Sequence, residues 1–218
     1  MSVTWSSTSR LASSLGGARG MARGPTYHVP PRRRRSARTD YRKRRALVAS
    51  KKARLVARIS GRNIYAQILR STARGDETLA CSNSKEITRR YGWRGHPANT
   101  PAAYLVGMLA GYKSTRSGVD DAILDIGLST PAKGARVFAA AKGAIDAGLH
   151  IACDASMLPP DERVRGSHIA EFAKVLATSS PDSYNRVFSS YLAKSQRPEN
   201  LPEHFIEVER RIREDFAK

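Results

Sequence analysis

The amino-acid sequence predicts an α/β fold: a three-layer mixed sheet, with a basic arm before it and a helical extension after it. Three short segments after residue 52 alternate apolar and polar side chains and are joined by glycine-containing turns, which is typical of an antiparallel meander. Two apolar segments further along each follow a helical segment, which predicts parallel strands with crossover helices. The net charge of +19 is concentrated before the sheet.

The meander accounts for the first half of the predicted sheet. Its strands are Ala53–Ser60, Asn63–Arg70 and Thr78–Asn83. Leu55, Ala57 and Ile59 alternate with polar or smaller side chains, so one face is expected to pack on the core. The opposite, outer face is expected to present Arg54, Arg58, Tyr65 and Gln67.

The parallel half begins at a helix start signal, since Asn99 is a good N-cap and Pro101 follows just inside the helix. That helix is predicted to extend to about Ser117, and its small and apolar residues on most sides predict that it is buried. The elements predicted after it are a buried strand at Ala122–Leu128, a helix at about Gly134–Ala147 and a strand at Leu149–Cys153.

The rest of the chain divides around this core of residues 53–153. Residues 154–218 predict a helical extension, with helices at about Ser167–Ala177, Ser183–Ala193 and Pro202–Phe216. The last of these is highly charged and is expected to pack on the core or on a neighbouring protein. Residues 21–52 form a basic arm, and residues 1–20 are interpreted as a disordered leader or the product of an upstream start codon.

The charge distribution indicates the class of partner. Residues 1–70 hold 18 Lys and Arg but one acidic residue, Asp40, whereas the remainder holds 20 basic and 18 acidic residues. A block this basic repels itself and requires a polyanion. Tyr27, His28 and Tyr41 are interleaved with the arginines, as expected of a segment that stacks on unpaired bases. A solvated tail or a localisation signal is the alternative interpretation, and the lack of bulky apolar residues in the arm argues against a membrane surface.

The sequence does not predict an enzyme. A meander followed by two parallel units is also the plan of ribonuclease-H-like nucleases, which need clustered carboxylates to hold two metal ions. The first strand lacks acids, and Asp120, Asp121 and Asp125 are the nearby ones. The two cysteines are far apart, the five histidines are scattered, and phosphate-loop and nucleophile motifs are missing, so no cofactor, metal or small-molecule substrate is expected.

One loop is a candidate phosphate contact. It runs from Ser129 to Arg136, directly after the buried strand and at the start of the next helix. Free N–H groups at a helix start favour an anion, Lys133 and Arg136 add positive charge, and Gly134 permits close approach.

Several segments resemble one family. Asn99–Leu105, Leu124–Leu128, Lys133–Phe138 and Gly143–Gly148 are similar to the large-subunit ribosomal protein that binds 5S rRNA, the L-eighteen family, and Arg54–Arg58 with Asn63–Ile68 match its first two strands. The long C-terminal part resembles the archaeal and eukaryotic form. The similarity extends from about Ala22 to Phe216.

This resemblance implies a cytoplasmic, non-enzymatic protein that attaches 5S rRNA to the large-subunit rRNA in the central protuberance, beside another 5S-associated ribosomal protein. It also implies a ribonuclease-H-like topology without the active site. The implied RNA contacts are Arg32, Arg33, Arg34, Arg35, Arg38, Tyr41, Arg42, Arg44, Arg45, Lys51, Lys52, Arg54, Arg58, Tyr65, Lys133, Gly134 and Arg136. A generic basic nucleic-acid-binding protein is the main alternative.

Overall fold

The computed structural model describes Pro25 and residues 27–217, and its centre is a five-stranded mixed sheet. The strands are β1 (Ala53–Ile59), β2 (Ile64–Thr72), β3 (Gly75–Asn83), β4 (Asp121–Asp125) and β5 (His150–Ile151). Their spatial order is β3-β2-β1-β4-β5. β1 pairs antiparallel with β2 and parallel with β4, so the meander and the crossover units join at β1. The predicted α/β fold is confirmed.

Ten α-helices accompany the sheet in the part of the chain that the structure describes. They are α1 (Arg32–Arg35), α2 (Tyr41–Ala49), α3 (Ser84–Arg90), α4 (Thr100–Arg116), α5 (Arg136–Asp146), α6 (Asp161–Arg165), α7 (Ser167–Ser179), α8 (Pro181–Val187), α9 (Ser189–Leu192) and α10 (Leu201–Phe216). Helices α4 and α5 cover the apolar face of the sheet, and Asn99 caps α4 as expected by accepting a hydrogen bond from the Ala102 N–H at 2.8 Å.

The C-terminal helices form the third layer, behind α4. Helix α10 repeats apolar residues at helical spacing, and its Phe205, Val208 and Ile212 are buried where α10 packs against α4, α6 and α7. Tyr91 donates a hydrogen bond to the Asp215 carboxylate at 2.7 Å, and this holds the end of α10 against the loop after α3. Helix α10 therefore packs on the core, one of the two placements expected for it.

Several element boundaries differ from those predicted. Strand β4 ends at Asp125 because Gly127 adopts a positive φ of 64° and turns the chain, which leaves Leu128 58% exposed. The helix predicted at Ser183–Ala193 is two short helices, α8 and α9. The predicted leader lies outside the described residues. In the described part, no helix has both the length and the apolar character required to span a bilayer.

Candidate RNA interface

The basic arm folds into two short helices. Pro31 precedes α1, whose four arginines are all exposed. Asp40 begins α2 by accepting hydrogen bonds from the backbone N–H groups of Arg42 and Lys43 at 3.0 and 3.2 Å. Because α2 has no buried residue, packing alone does not fix its position.

Ion pairs place the arm across the polar face of the sheet. The Arg44 guanidinium lies 2.8 Å from the Asp76 carboxylate on β3, and Lys52 lies 2.6 Å from Asp121 on β4. Both basic side chains are about half exposed, and pairs of this kind contribute at most roughly 1 kcal/mol each. These ion pairs therefore position the arm on the sheet but hold it only weakly.

Arg54 does not lie where the alternation on β1 predicted. Its side chain is 2% exposed, so the expectation that it is displayed on the outer face is wrong. The guanidinium reaches Asp76 at 2.8 Å and Asp125 at 3.3 Å, and it donates to the Ser71 hydroxyl at 3.0 Å. The carboxylates of Asp76 on β3 and Asp125 on β4, together with the covering arm, explain why a charged residue is buried here.

Arg58 and Tyr65 do lie on the exposed polar face, as expected. The Arg58 side chain is 46% exposed, and its guanidinium donates to the Asp125 carbonyl and carboxylate oxygens at 2.7 and 3.0 Å. Tyr65 is 40% exposed on the neighbouring strand, opposite Arg58 in the register. The Arg58 guanidinium, fixed by Asp125, lies beside the exposed Tyr65 ring, and this pair is suited to contact an RNA backbone or an unpaired base.

A groove of about 1000 Å³ separates the arm from this face. Its lining includes six basic and three acidic side chains, so the groove carries a positive balance. The charged residues are Arg33, Arg38, Lys43, Arg44, Arg54 and Arg58 with Asp40, Asp76 and Asp125. Apolar wall residues are Leu47, Val56, Leu69, Ile126 and Leu128. Arg32, Arg34, Arg35, Arg42 and Arg45 lie on the same arm but are not in this lining, and all five are exposed.

The loop predicted to contact a phosphate lies directly before α5. Helix α5 begins at Arg136, and the Gly134 N–H already donates to the Met157 carbonyl at 3.0 Å. Arg136 is exposed, but its guanidinium donates to the Ala98 carbonyl at 2.7 Å. Lys133 is exposed and keeps its charge at the surface. One backbone donor of the loop, the Gly134 N–H, is therefore occupied by the chain after β5, and the phosphate contact at Lys133 and Arg136 stays a prediction.

Comparisons with known proteins identify the family. The model for ribosomal large-subunit proteins 60S L5 and 50S L18 matches residues 25–120 and 113–154, a span that contains most of the arm and all five strands. The large ribosomal subunit protein uL18 of Thermofilum pendens is 50% identical over 194 residues, which cover 89% of this chain and 98% of that protein. The chain belongs to this ribosomal family. It is a structural constituent of the large ribosomal subunit and not an enzyme.

Asp121 and Asp125, which the sequence offered as possible nuclease acids, pair with basic side chains in this ribosomal protein. Asp125, the acid considered for a nuclease, is bound by two guanidinium groups, and Asp121 pairs with Lys52 and His150. The hydrogen bond from Lys52, followed by that from His150, lowers the pKa of Asp121. The described residues contain no group of three or more His, Cys, Asp or Glu side chains that could hold a metal ion. The carboxylates of this face pair with basic side chains of the arm and of β1.

Sequence reasoning missed Asp76 and Lys43. Asp76 lies between the second and third predicted strands, where the sequence predicts a turn, although it binds both Arg44 and Arg54. Nothing in the local pattern marks it, since its partners are 32 and 22 positions away. Lys43 lies inside the basic run, and only the position of α2 distinguishes it from Arg42 as a groove residue.

Asp76 makes the free energy of unfolding depend on pH. Burial alone would raise the pKa of Asp76, but hydrogen bonds from Arg54 and Ser71, with the charges of Arg54 and Arg44, outweigh that effect and lower it. A carboxyl with a depressed folded-state pKa stabilises the protein above its unfolded pKa of about 4, and this contribution is lost as pH falls through the folded value.

We expect Asp76→Asn to lower the free energy of unfolding by about 1.5 kcal/mol at pH 7, the lower range for hydrogen bonds to charged groups. Denaturant titrations of both proteins from pH 7 to pH 2 measure the difference between them. The difference should shrink as the pH falls below about 4 and through the depressed folded-state pKa of Asp76. A difference that stays constant with pH would show that the carboxylate charge is not responsible.

Proposed function

We propose that this ribosomal protein binds 5S rRNA and attaches it to the large-subunit rRNA in the central protuberance. The observation that carries the proposal is the basic arm, which lies across the polar sheet face above a groove with six cations in its lining. Neither the arm helices nor that face is covered by the helical layers, so a polyanion has access to both.

The division of charge supports an RNA partner on this side of the molecule. Structured RNA is recognised mainly through phosphates, 2′-hydroxyl groups and shape, with unpaired bases read by stacking. Exposed arginines of the arm supply phosphate contacts, and Arg58 and Tyr65 supply a neighbouring surface with both a guanidinium and an aromatic ring. We further propose that the protein acts in the cytoplasm and lies beside another 5S-associated ribosomal protein.

Direct binding tests the proposal. The full chain is titrated with labelled 5S rRNA at near-physiological salt, in the presence of an equal excess of tRNA as competitor. A version that begins at residue 53 is measured in parallel. We expect selective binding by the full chain and a large loss without the arm. Equal affinity for 5S rRNA and tRNA would leave a generic polyanion-binding protein.

A further inference from the structure

The groove beneath the arm contains a buried hydrogen-bond donor without an acceptor. The Arg54 Nε–H is shielded from solvent and has no partner among the described residues, although both terminal nitrogens of the same guanidinium are bound. Buried polar groups are nearly always paired, so an unpaired donor at a cavity wall indicates that a bound ligand supplies the acceptor. Arg54 is part of the groove lining.

We propose that this groove receives one unpaired nucleotide, with the base inserted between the arm and the sheet and a base acceptor atom bound to Arg54 Nε–H. This inference rests on the proposed RNA-binding function and assigns one RNA feature to one site. The groove volume of about 1000 Å³ exceeds what a single base needs. It lies at the upper end of the roughly 300–1,000 Å³ typical of small-molecule pockets.

The distribution of charge in the groove favours a base over a phosphate at its floor. Asp76 and Asp125 lie there beside Arg54, so an anion placed between them meets two carboxylates. A neutral base avoids this repulsion and still offers carbonyl and ring-nitrogen acceptors. Val56 and Leu69 on the sheet and Leu47 on the arm supply apolar walls for its ring.

The phosphates of the same nucleotide then lie at the rim. Arg33, Arg38 and Lys43 line the arm side of the groove and are exposed. The base reaches Arg54 when α2 moves slightly away from the sheet, and this movement costs little because half-exposed ion pairs hold the arm. Flanking phosphate contacts and a buried base together order the arm on the RNA.

Two tryptophan substitutions on α2 test the site. Ala46 lines the groove, whereas Ala49 does not, and both side chains are exposed, so neither change disturbs the core. Base-specific chemical probing of 5S rRNA is performed with the full chain, with Ala46→Trp and with Ala49→Trp. We expect one unpaired base to be protected by the unchanged protein and by Ala49→Trp but to become reactive with Ala46→Trp. Affinity should fall roughly tenfold for Ala46→Trp, the equivalent of one charge-assisted hydrogen bond.

The outcomes separate this inference from the proposed function. If the unchanged protein does not bind 5S rRNA selectively, the proposed function is wrong and the inference falls with it. If it binds selectively but protects no unpaired base, or if Ala46→Trp leaves the protection and the affinity as they were, the RNA does not enter the groove. In that case the proposed function stands and the base site is rejected.

Discussion

Replacing the four arginines of α1, Arg32–Arg35, with glutamine is expected to weaken 5S rRNA binding by roughly 300-fold at 0.15 M salt. Each phosphate contact contributes about 0.7–0.9 to the slope of log affinity against log salt, so four contacts contribute roughly 3. If the ionic contribution is taken to vanish near 1 M salt, a slope of about 3 gives that factor. All four side chains are exposed, so the folded domain should be unaffected.

A matched variant removes the same charge elsewhere. Arg163, Arg165, Arg186 and Arg197 are exposed arginines of the C-terminal region. Changing these four to glutamine lowers the net charge equally but should leave the slope nearly unchanged, because this region lies outside the proposed interface. Binding is measured by titration at several salt concentrations between 0.05 and 0.5 M (about one decade). Equal loss of slope in both variants would show that overall charge, and not the arm, governs binding.

The sequence predicted the fold well because its signals are local. Alternation along β2, the Asn99 cap and the apolar sides of α4 each depend on neighbours within a few positions, and all three were confirmed. Strand β4 was predicted to end three residues too late, because apolar residues continue past the turn at Gly127 and the pattern alone does not reveal where pairing stops.

The interface was less predictable because it depends on long-range pairing. Alternation correctly assigned Arg54 and Arg58 to the same face, but it gave no reason for one to be buried and the other exposed. Arg54 is buried because it binds Asp76, at the start of β3, and because the arm lies above this pair. In the same way, no local signal shows that the Gly134 N–H donates to the Met157 carbonyl, 23 positions further along the chain.

The contact between α4 and α5 predicts the largest loss of stability. Gly107 on α4 lies directly against the Ala140 backbone, and a Cβ at Gly107 would overlap the Ala140 carbonyl oxygen. Gly143 on α5 meets the Tyr104 carbonyl in the same way. These two glycines let the helix backbones touch, in a layer enclosed by the sheet on one side and the C-terminal helices on the other.

We expect Gly107→Ala to lower the free energy of unfolding by about 3 kcal/mol. Alanine is intrinsically better than glycine within a helix by about 1 kcal/mol. The overlap is with backbone, however, so no rotamer change relieves it and the helices must separate, at the upper end of the range for overpacking or beyond. In thermal unfolding this corresponds to a midpoint about 6–12 °C lower for a chain of this length.

Two further variants make the expectation decisive. Gly61→Ala adds the same methyl group in a turn where nothing lies within 4 Å, so its midpoint should stay close to that of the unchanged protein. Gly143→Ala should be as damaging as Gly107→Ala, and the double variant should lose less than the sum, because helices already forced apart accommodate the second methyl group. Strictly additive losses would mean that the two glycines relieve separate contacts, and a neutral Gly107→Ala would rule out the close helix crossing itself.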